Sequence, residues 1–184
     1  YILLLYRYGF SINALKFMFL IPMLISAFQI DLKLQIIPNR LTLTIFEFGL
    51  IFTFLGVIIN VNTGINLFIN SLLGMIVGAG IFLLITLIGG AIAGKEAMGF
   101  GDVKLMGAMG LFFGWFNIIL ISVIAFLLAA ITSIGILVLR KKKIDEYIPF
   151  GPFIVIGAII SIYTPFSILL IALLKIFSLG MYQL

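Results

Sequence analysis

The chain has 184 residues, of which 64% are hydrophobic and 9% charged, with a formal net charge of +5. Soluble domains carry about a quarter charged residues, so the composition excludes a soluble globular protein and favours an integral membrane protein. Cysteine and histidine are absent, which excludes disulfides, thiol nucleophiles, Cys- or His-ligated metal sites and the general base of Ser-His-Asp enzymes.

Long apolar runs predict a bundle of transmembrane helices, because about 18 apolar residues suffice to cross a bilayer. The predicted spans are residues 15–30, 41–60, 67–91, 104–115, 118–139 and 154–177, and residues 1–8 form the end of a further span. The fold class is therefore all-α: a polytopic transmembrane helical bundle of about six to seven spans, one or more of them short or broken.

The start of the sequence indicates a piece of a longer protein. Tyr1 lies inside an apolar run, without an initiator Met and without the cleavage site of a signal peptide. We expect the N-terminal part of the parent protein to be missing and residues 1–184 to form one transmembrane domain.

Lysines and arginines predict which loops face the cytoplasm. By the positive-inside rule, the basic segments 31–40, 92–104 and 140–147 lie on the cytoplasmic side. This arrangement requires residues 104–139 to form a hairpin whose first arm, 104–115, is short. The predicted cytoplasmic cations are Lys33, Arg40, Lys95, Lys104, Arg140, Lys141, Lys142 and Lys143, and the opposite side has Arg7, Lys16 and Lys175.

Asp31 and Asp102 are predicted to meet at one membrane boundary. Asp31 ends one span, Asp102 begins another, and the chain between them crosses the membrane out and back. Two neighbouring carboxyls do not both ionise readily, and one shared proton is the arrangement of aspartic proteases. The ionised carboxyl takes a proton from water and the protonated one donates to the scissile carbonyl, so neither cofactor nor metal is needed.

The glycines before Asp102 support this hypothesis without deciding it. Gly99 and Gly101 have no side chain and would let an extended substrate approach closely. The same short motif is typical of a tight turn in which Asp102 is a helix N-cap. A further interpretation is that the two acids are interfacial groups paired with Lys33 and Lys104.

Three stretches resemble the motifs of one enzyme family. "GKEAMGFGDVKLMGAMGLFFGW" is similar to the second motif of bacterial type IV prepilin leader peptidases, and "IDLKLQIIPNRLTL" to their first. "IPFGPF" resembles a third stretch before the last span. The matches stand in the order of the family and cover nearly the whole chain. These peptidases belong to the Gly-x-Gly-Asp aspartic intramembrane proteases.

The resemblance implies that Asp31 and Asp102 are catalytic. It implies removal of the short basic leader from type IV prepilins and pseudopilins, at a cut that follows a glycine and precedes a hydrophobic helix. The protein would be a multi-pass enzyme of the bacterial inner membrane with its active site facing the cytoplasm. Its partners would be the substrate helices and lipid, with no nucleic acid, metal or cofactor. The pilus or type II secretion system served and the oligomeric state stay open.

The resemblance also suggests supporting residues. We assign substrate binding or support to Gly99, Gly101, Lys104, Pro38 and Asn39. Many members have Asp where Asn39 stands, so position 39 is not a catalytic acid here. The roles of Glu47 and Lys95 stay open.

Many family members also methylate the new N-terminus through a cytoplasmic domain with Cys-x-x-Cys motifs. This chain has no cysteine and is too short to hold that domain, so its presence in the full protein stays open.

Two hypotheses from other classes compete with the peptidase. One is an ion-coupled transporter with Asp31, Asp102 and Glu47 as a proton relay. Against it, the aspartates lie at span ends and no internal repeat is visible. The other is a non-catalytic assembly protein that packs through its glycines, which leaves the second motif unexplained.

Overall fold

The computed structural model describes residues 1–59, 62–93, 98–138 and 149–177. Their regular structure is helical: α1 Ile2–Tyr8, α2 Ile12–Leu34, α3 Asn39–Ile59, α4 Gly64–Ala93, α5 Phe100–Val138, α6 Gly151–Tyr163 and α7 Phe166–Phe177. Helices α2 to α5 are each long and apolar enough to cross a membrane. The predicted polytopic helical bundle is confirmed, while Lys95 and the basic loop 140–147 lie outside the described residues.

Helix α2 carries Asp31 to its last turn. Ser11 caps the start of the helix, where its side chain accepts the backbone N–H of Ala14 at 3.3 Å, and the helix continues through Pro22. Gln35 follows the last residue of the helix in a left-handed conformation with φ of 56°. The turn predicted at Pro38 is present, because α3 begins at the next residue.

Helix α5 is a hairpin of two arms that meet at Gly114, where φ is 73° and ψ is 172°. Both arms pack on the same part of α4. A Cβ placed on Gly78 would lie 2.5 Å from the carbonyl oxygen of Met106 in the first arm, and 3.0 Å from Ile118 Cγ1 in the second. The predicted hairpin over residues 104–139 is therefore confirmed.

Polar side chains from two other helices stabilise the ends of the arms at this break. Lys16 Nζ donates to the carbonyl oxygen of Phe112 at 2.5 Å, and Asn70 Oδ1 accepts the backbone N–H of Trp115 at 3.4 Å. A lysine at a helix C-terminus also interacts favourably with the helix dipole. A side chain at position 114 would clash with Asn70, since an added Cβ would lie 2.5 Å from Asn70 Nδ2.

The crossing of α4 and the first arm is a direct backbone contact and gives a stability prediction. A Cβ on Gly110 would overlap the carbonyl group of Gly74. We expect Gly110→Ala to destabilise the fold by about 1–3 kcal/mol through overpacking, and to lower the Tm of the detergent-solubilised protein. Gly80→Ala is the matched control, because a Cβ there would meet no atom within 4 Å. Equal melting temperatures for the two variants would contradict this account of the crossing.

The prediction of one last span over residues 154–177 is wrong, because the chain breaks inside it. Helix α6 ends at Tyr163, Thr164 is extended with φ of −115°, and Pro165 follows. Pro165 favours this break, since a proline disfavours the helical conformation of the residue before it, although α2 continues through Pro22. The apolar composition of the segment concealed this break.

Helix α7 then turns back along the second arm of α5. The ring of Phe166 lies 5.8 Å from that of Phe116, and Leu169 belongs to a buried cluster with Leu120. The prediction placed Lys175 on the side opposite the basic loops, and this reversal corrects it. Lys175 lies near the end of a helix that returns toward Asp31 and Asp102.

The two ends of the bundle differ in their described cations. The end with Asp31 and Asp102, called the aspartate side, also has Lys33, Arg40 and Lys104, while Arg7 and Lys16 lie toward the opposite side. At that opposite side, Arg7 donates to the carbonyl oxygen of Tyr163 at 2.7 Å, which places the end of α6 there. The chain path therefore agrees with the predicted grouping of these cations.

Candidate active site

Asp31 and Asp102 line one cavity of about 190 Å³, called here the carboxyl cavity. Each aspartate is only 3% exposed. The lining residues are Asp31, Gln35, Ile36, Ile37, Gly99, Phe100, Gly101 and Asp102. The prediction that two carboxyls distant in sequence meet at one depth is confirmed.

A backbone group of α6 holds the side chain of Asp31. Its Oδ2 accepts the N–H of Gly151 at 2.8 Å. Gly151 is the first residue of α6, where N–H groups have no partner within the helix and the dipole favours a negative charge. The helix start therefore fixes one oxygen of Asp31.

Gly151 was not among the residues predicted for the site. A glycine directly before Pro152 at a helix start, within the stretch "IPFGPF", was a usable signal. The contact requires glycine, because a Cβ at position 151 would lie 2.6 Å from Asp31 Oδ2.

Asp102 presents an unpaired oxygen. Its Oδ1 is buried and has no hydrogen-bond partner among the described residues. Asp102 is the third residue of α5 and its own N–H bonds to the carbonyl oxygen of Gly99, so the interpretation as an N-cap is wrong. A buried carboxyl oxygen without a partner is costly, so a hydrogen-bonding group is expected to bind there.

The two glycines before Asp102 have different neighbours. Gly99 lines the carboxyl cavity, as expected for a residue that leaves space beside the acids. Gly101 also contacts the α2–α3 connection, since a Cβ there would lie 3.0 Å from Ile37 Cβ and 3.4 Å from its backbone. Pro38, which follows Ile37, lies outside the cavity and positions this connection.

Lys104 pairs with Asn39 rather than with an aspartate. Its Nζ donates to Asn39 Oδ1 at 2.8 Å, and both side chains are exposed. Within the described ranges, no ion pair joins Lys33 or Lys104 to either aspartate, which counts against the interpretation of the two acids as interfacial ion pairs. Glu47 lies on an exposed face of α3, away from the carboxyl cavity.

Comparisons with known proteins agree with the geometry. A model described as "Type IV leader peptidase family" matches residues 18–134, which include both aspartates. A relative from Legionella pneumophila named "Prepilin leader peptidase/N-methyltransferase" is 32% identical over 89% of this chain and 55% of its own length. Relatives with the same name from Aeromonas hydrophila and Pseudomonas aeruginosa are 31% and 29% identical, over 76% and 85% of this chain and 46% and 52% of their lengths.

The chain thus spans about half the length of the curated relatives it matches. No solved structure matches the chain.

Proposed function

Because the chain belongs to the type IV leader peptidase family, we propose that it is an aspartic endopeptidase that removes the leader from type IV prepilins or pseudopilins. The single observation that carries the proposal is that Asp31 and Asp102, from distant helices, are both buried and line one cavity. The family match supports this hypothesis over the transporter and the assembly protein. Residues 1–184 would form the peptidase domain of the parent protein.

The proposed mechanism uses the carboxyls as an acid–base pair. Gly151 donates to one oxygen of Asp31, which suits the carboxylate that takes a proton from the attacking water. Asp102 then carries the shared proton and donates it from Oδ1, the oxygen without a partner, to the scissile carbonyl oxygen. The resulting tetrahedral diol breaks its C–N bond as Asp31 gives its proton to the leaving amine and Asp102 takes one from a diol hydroxyl, which restores both carboxyls.

The proposal is tested by cleavage in a defined system. The chain is reconstituted in detergent with a purified prepilin, and the product is identified by mass spectrometry. One cut directly before the apolar segment is expected, unaffected by chelators and by serine and cysteine protease inhibitors. Loss of cleavage with a chelator, or no cleavage at all, would contradict the proposal. A methylated product would additionally report the activity printed in the names of the relatives.

The proposed orientation places the aspartate side in the cytoplasm, as the positive-inside rule suggests for Lys33 and Arg40. The chain has no cysteine, so single introduced thiols report sidedness without background. We expect an impermeant maleimide to label Tyr6→Cys in spheroplasts, and Leu34→Cys only after permeabilisation. Both positions are exposed, at 90% and 64%. The reverse labelling pattern would place the carboxyl cavity on the outer side.

A further inference from the structure

Another cavity, of about 330 Å³, lies at the end of the bundle opposite the aspartate side. Its wall is formed by the first turns of α2, the last turns of α3 and the first turns of α4, with Lys16, Gly56 and Ser71 among the lining residues. We call it the lysine cavity. Ligand sites usually have volumes of about 300–1,000 Å³, and the proposed chemistry of Asp31 and Asp102 does not use this one.

Lys16 brings a positive charge into this cavity near one membrane boundary. Along α2, Lys16 and Asp31 are about 22 Å apart at about 1.5 Å per helical residue, and the hydrocarbon core of a bilayer is about 30 Å thick. Because Asp31 ends its helix at the other boundary, Lys16 lies close to the depth of the phospholipid headgroups on the opposite side.

The ammonium group of Lys16 has no acidic partner within the described ranges. It donates to the carbonyl oxygen of Phe112 at 2.5 Å and lies 5.1 Å from the centre of the Phe17 ring. No acid among the described residues lines the cavity. An ammonium has three donors, so the bond to Phe112 leaves two of them for a ligand. A charge at this depth is stabilised when an anion pairs with it.

Neutral donors line the same cavity. The side chains of Asn13, Thr63 and Ser71 belong to its wall, and no described residue forms a hydrogen bond with any of the three. Thr63 directly precedes the first residue of α4, where backbone N–H groups have no partner within the helix and the dipole favours a negative charge. A lysine, hydroxyl groups and a helix start around one space are the combination that binds phosphate groups.

We propose that the lysine cavity binds a phosphate group, with Lys16 as its charged partner. A phosphate is anionic and accepts several hydrogen bonds, which matches a wall of donors without carboxylates. Phospholipids supply this group at the depth of Lys16, and the apolar part of the wall, with Phe52 and Leu67, suits the glycerol and the first acyl carbons. The proposal does not depend on the proposed function, so the two are tested separately.

The first test measures protection of Lys16 in the detergent-solubilised chain. An amine-reactive acylating reagent is added with and without phosphatidylglycerol, and modified peptides are quantified by mass spectrometry. At a lipid concentration of about ten times the Kd, mass action predicts about tenfold slower acylation of Lys16. Lys104, which is exposed on the aspartate side, is the internal reference and is expected to keep its rate.

Two further probes identify the group that is recognised. Diacylglycerol with the same acyl chains has no phosphate and is expected to give no protection. Inorganic phosphate has no acyl chains, so protection by it would show that a soluble phosphate is sufficient. Protection by phosphatidylglycerol alone would show that the phosphate must belong to a lipid.

The second test removes the donors one at a time, with lipid binding followed by native mass spectrometry. Lys16→Gln keeps an N–H donor for Phe112 but removes the charge, and it is expected to weaken phosphatidylglycerol binding about tenfold or more. Lys16→Arg keeps the charge and is expected to restore most of the affinity. Ser71→Ala breaks no hydrogen bond among the described residues and is expected to weaken binding by a smaller factor.

A cavity-filling variant leaves Lys16 and its bond to Phe112 in place. Gly56 lines the cavity, and a Cβ there would meet no atom within 4 Å. Gly56→Leu is therefore expected to abolish binding without unfolding the helix, because leucine also favours helix more than glycine does. Gly135→Leu is the matched control, since a Cβ on Gly135 likewise meets no atom within 4 Å and that residue does not line the cavity.

The proposal is overturned if neither phosphatidylglycerol nor inorganic phosphate protects Lys16. Equal protection by diacylglycerol would overturn it too, because the cavity would then hold an acyl chain rather than a phosphate. Unchanged lipid binding in both Lys16→Gln and Gly56→Leu would place the bound lipid elsewhere on the protein and would have the same consequence.

Discussion

Asp31→Asn and Asp102→Asn are each expected to lower kcat for prepilin cleavage by about 1000-fold or more. General acid–base catalysis contributes about 10²–10⁴-fold, and each variant removes a group that no other residue of the carboxyl cavity replaces. The two acids act as one unit, so the double variant is expected to be little worse than either single one. Asparagine keeps the size of the side chain, so the packing of α2 and α5 is preserved.

The measurement is a time course of cleavage, with binding of uncut prepilin followed separately. Glu47→Gln is the matched control, because it neutralises an exposed acid of α3 outside the carboxyl cavity, and it is expected to keep activity. Full processing by Asp31→Asn or Asp102→Asn would remove the proposed mechanism. An equal loss in Glu47→Gln would instead indicate a general effect of acidic residues.

Gly151→Ala is expected to lower kcat about 100-fold while prepilin still binds. The new Cβ would lie 2.6 Å from Asp31 Oδ2 and 3.0 Å from its Cγ, so the carboxyl group must move. A displacement of about 1 Å in a catalytic group is sufficient for a loss of this size. The same displacement lengthens or breaks the hydrogen bond from the Gly151 N–H.

Thermal unfolding of the variant must accompany the kinetics, because overpacking also costs about 1–3 kcal/mol of stability. Gly80→Ala provides the control, since its added methyl group would meet no atom within 4 Å. A Gly151→Ala protein with unchanged kcat would show that α6 does not position Asp31. Lost activity that returns at lower temperature would indicate unfolding instead.

The sequence was sufficient to predict the membrane bundle and the pairing of the acids. Apolar runs longer than a bilayer is thick must form helices, because backbone groups in lipid have to be bonded internally. Helices that cross out and back return to the same boundary, which brought Asp31 and Asp102 together without knowledge of any side-chain contact. The positive-inside rule likewise predicted the hairpin of α5, which the structure forms at Gly114.

The contacts that complete the site depended on the tertiary structure. The Gly151 N–H and Asp31 are 120 residues apart, and Lys104 and Asn39 are 65 apart. No local pattern encodes which backbone group approaches a carboxylate, because this depends on how helices from distant parts of the chain are packed.

The reversal at Pro165 is a further feature that depended on the tertiary structure. Hydropathy measures how readily each residue enters lipid, and it is equally high before and after the proline, so it predicted one span where the protein has α6 and α7. Local composition therefore determined that the chain lies in the membrane and where its acids stand in depth. The packing of α6 against α2 determined which backbone group holds Asp31, and the packing of α7 against α5 determined the course of the last segment, since close contact depends on shape over the whole bundle.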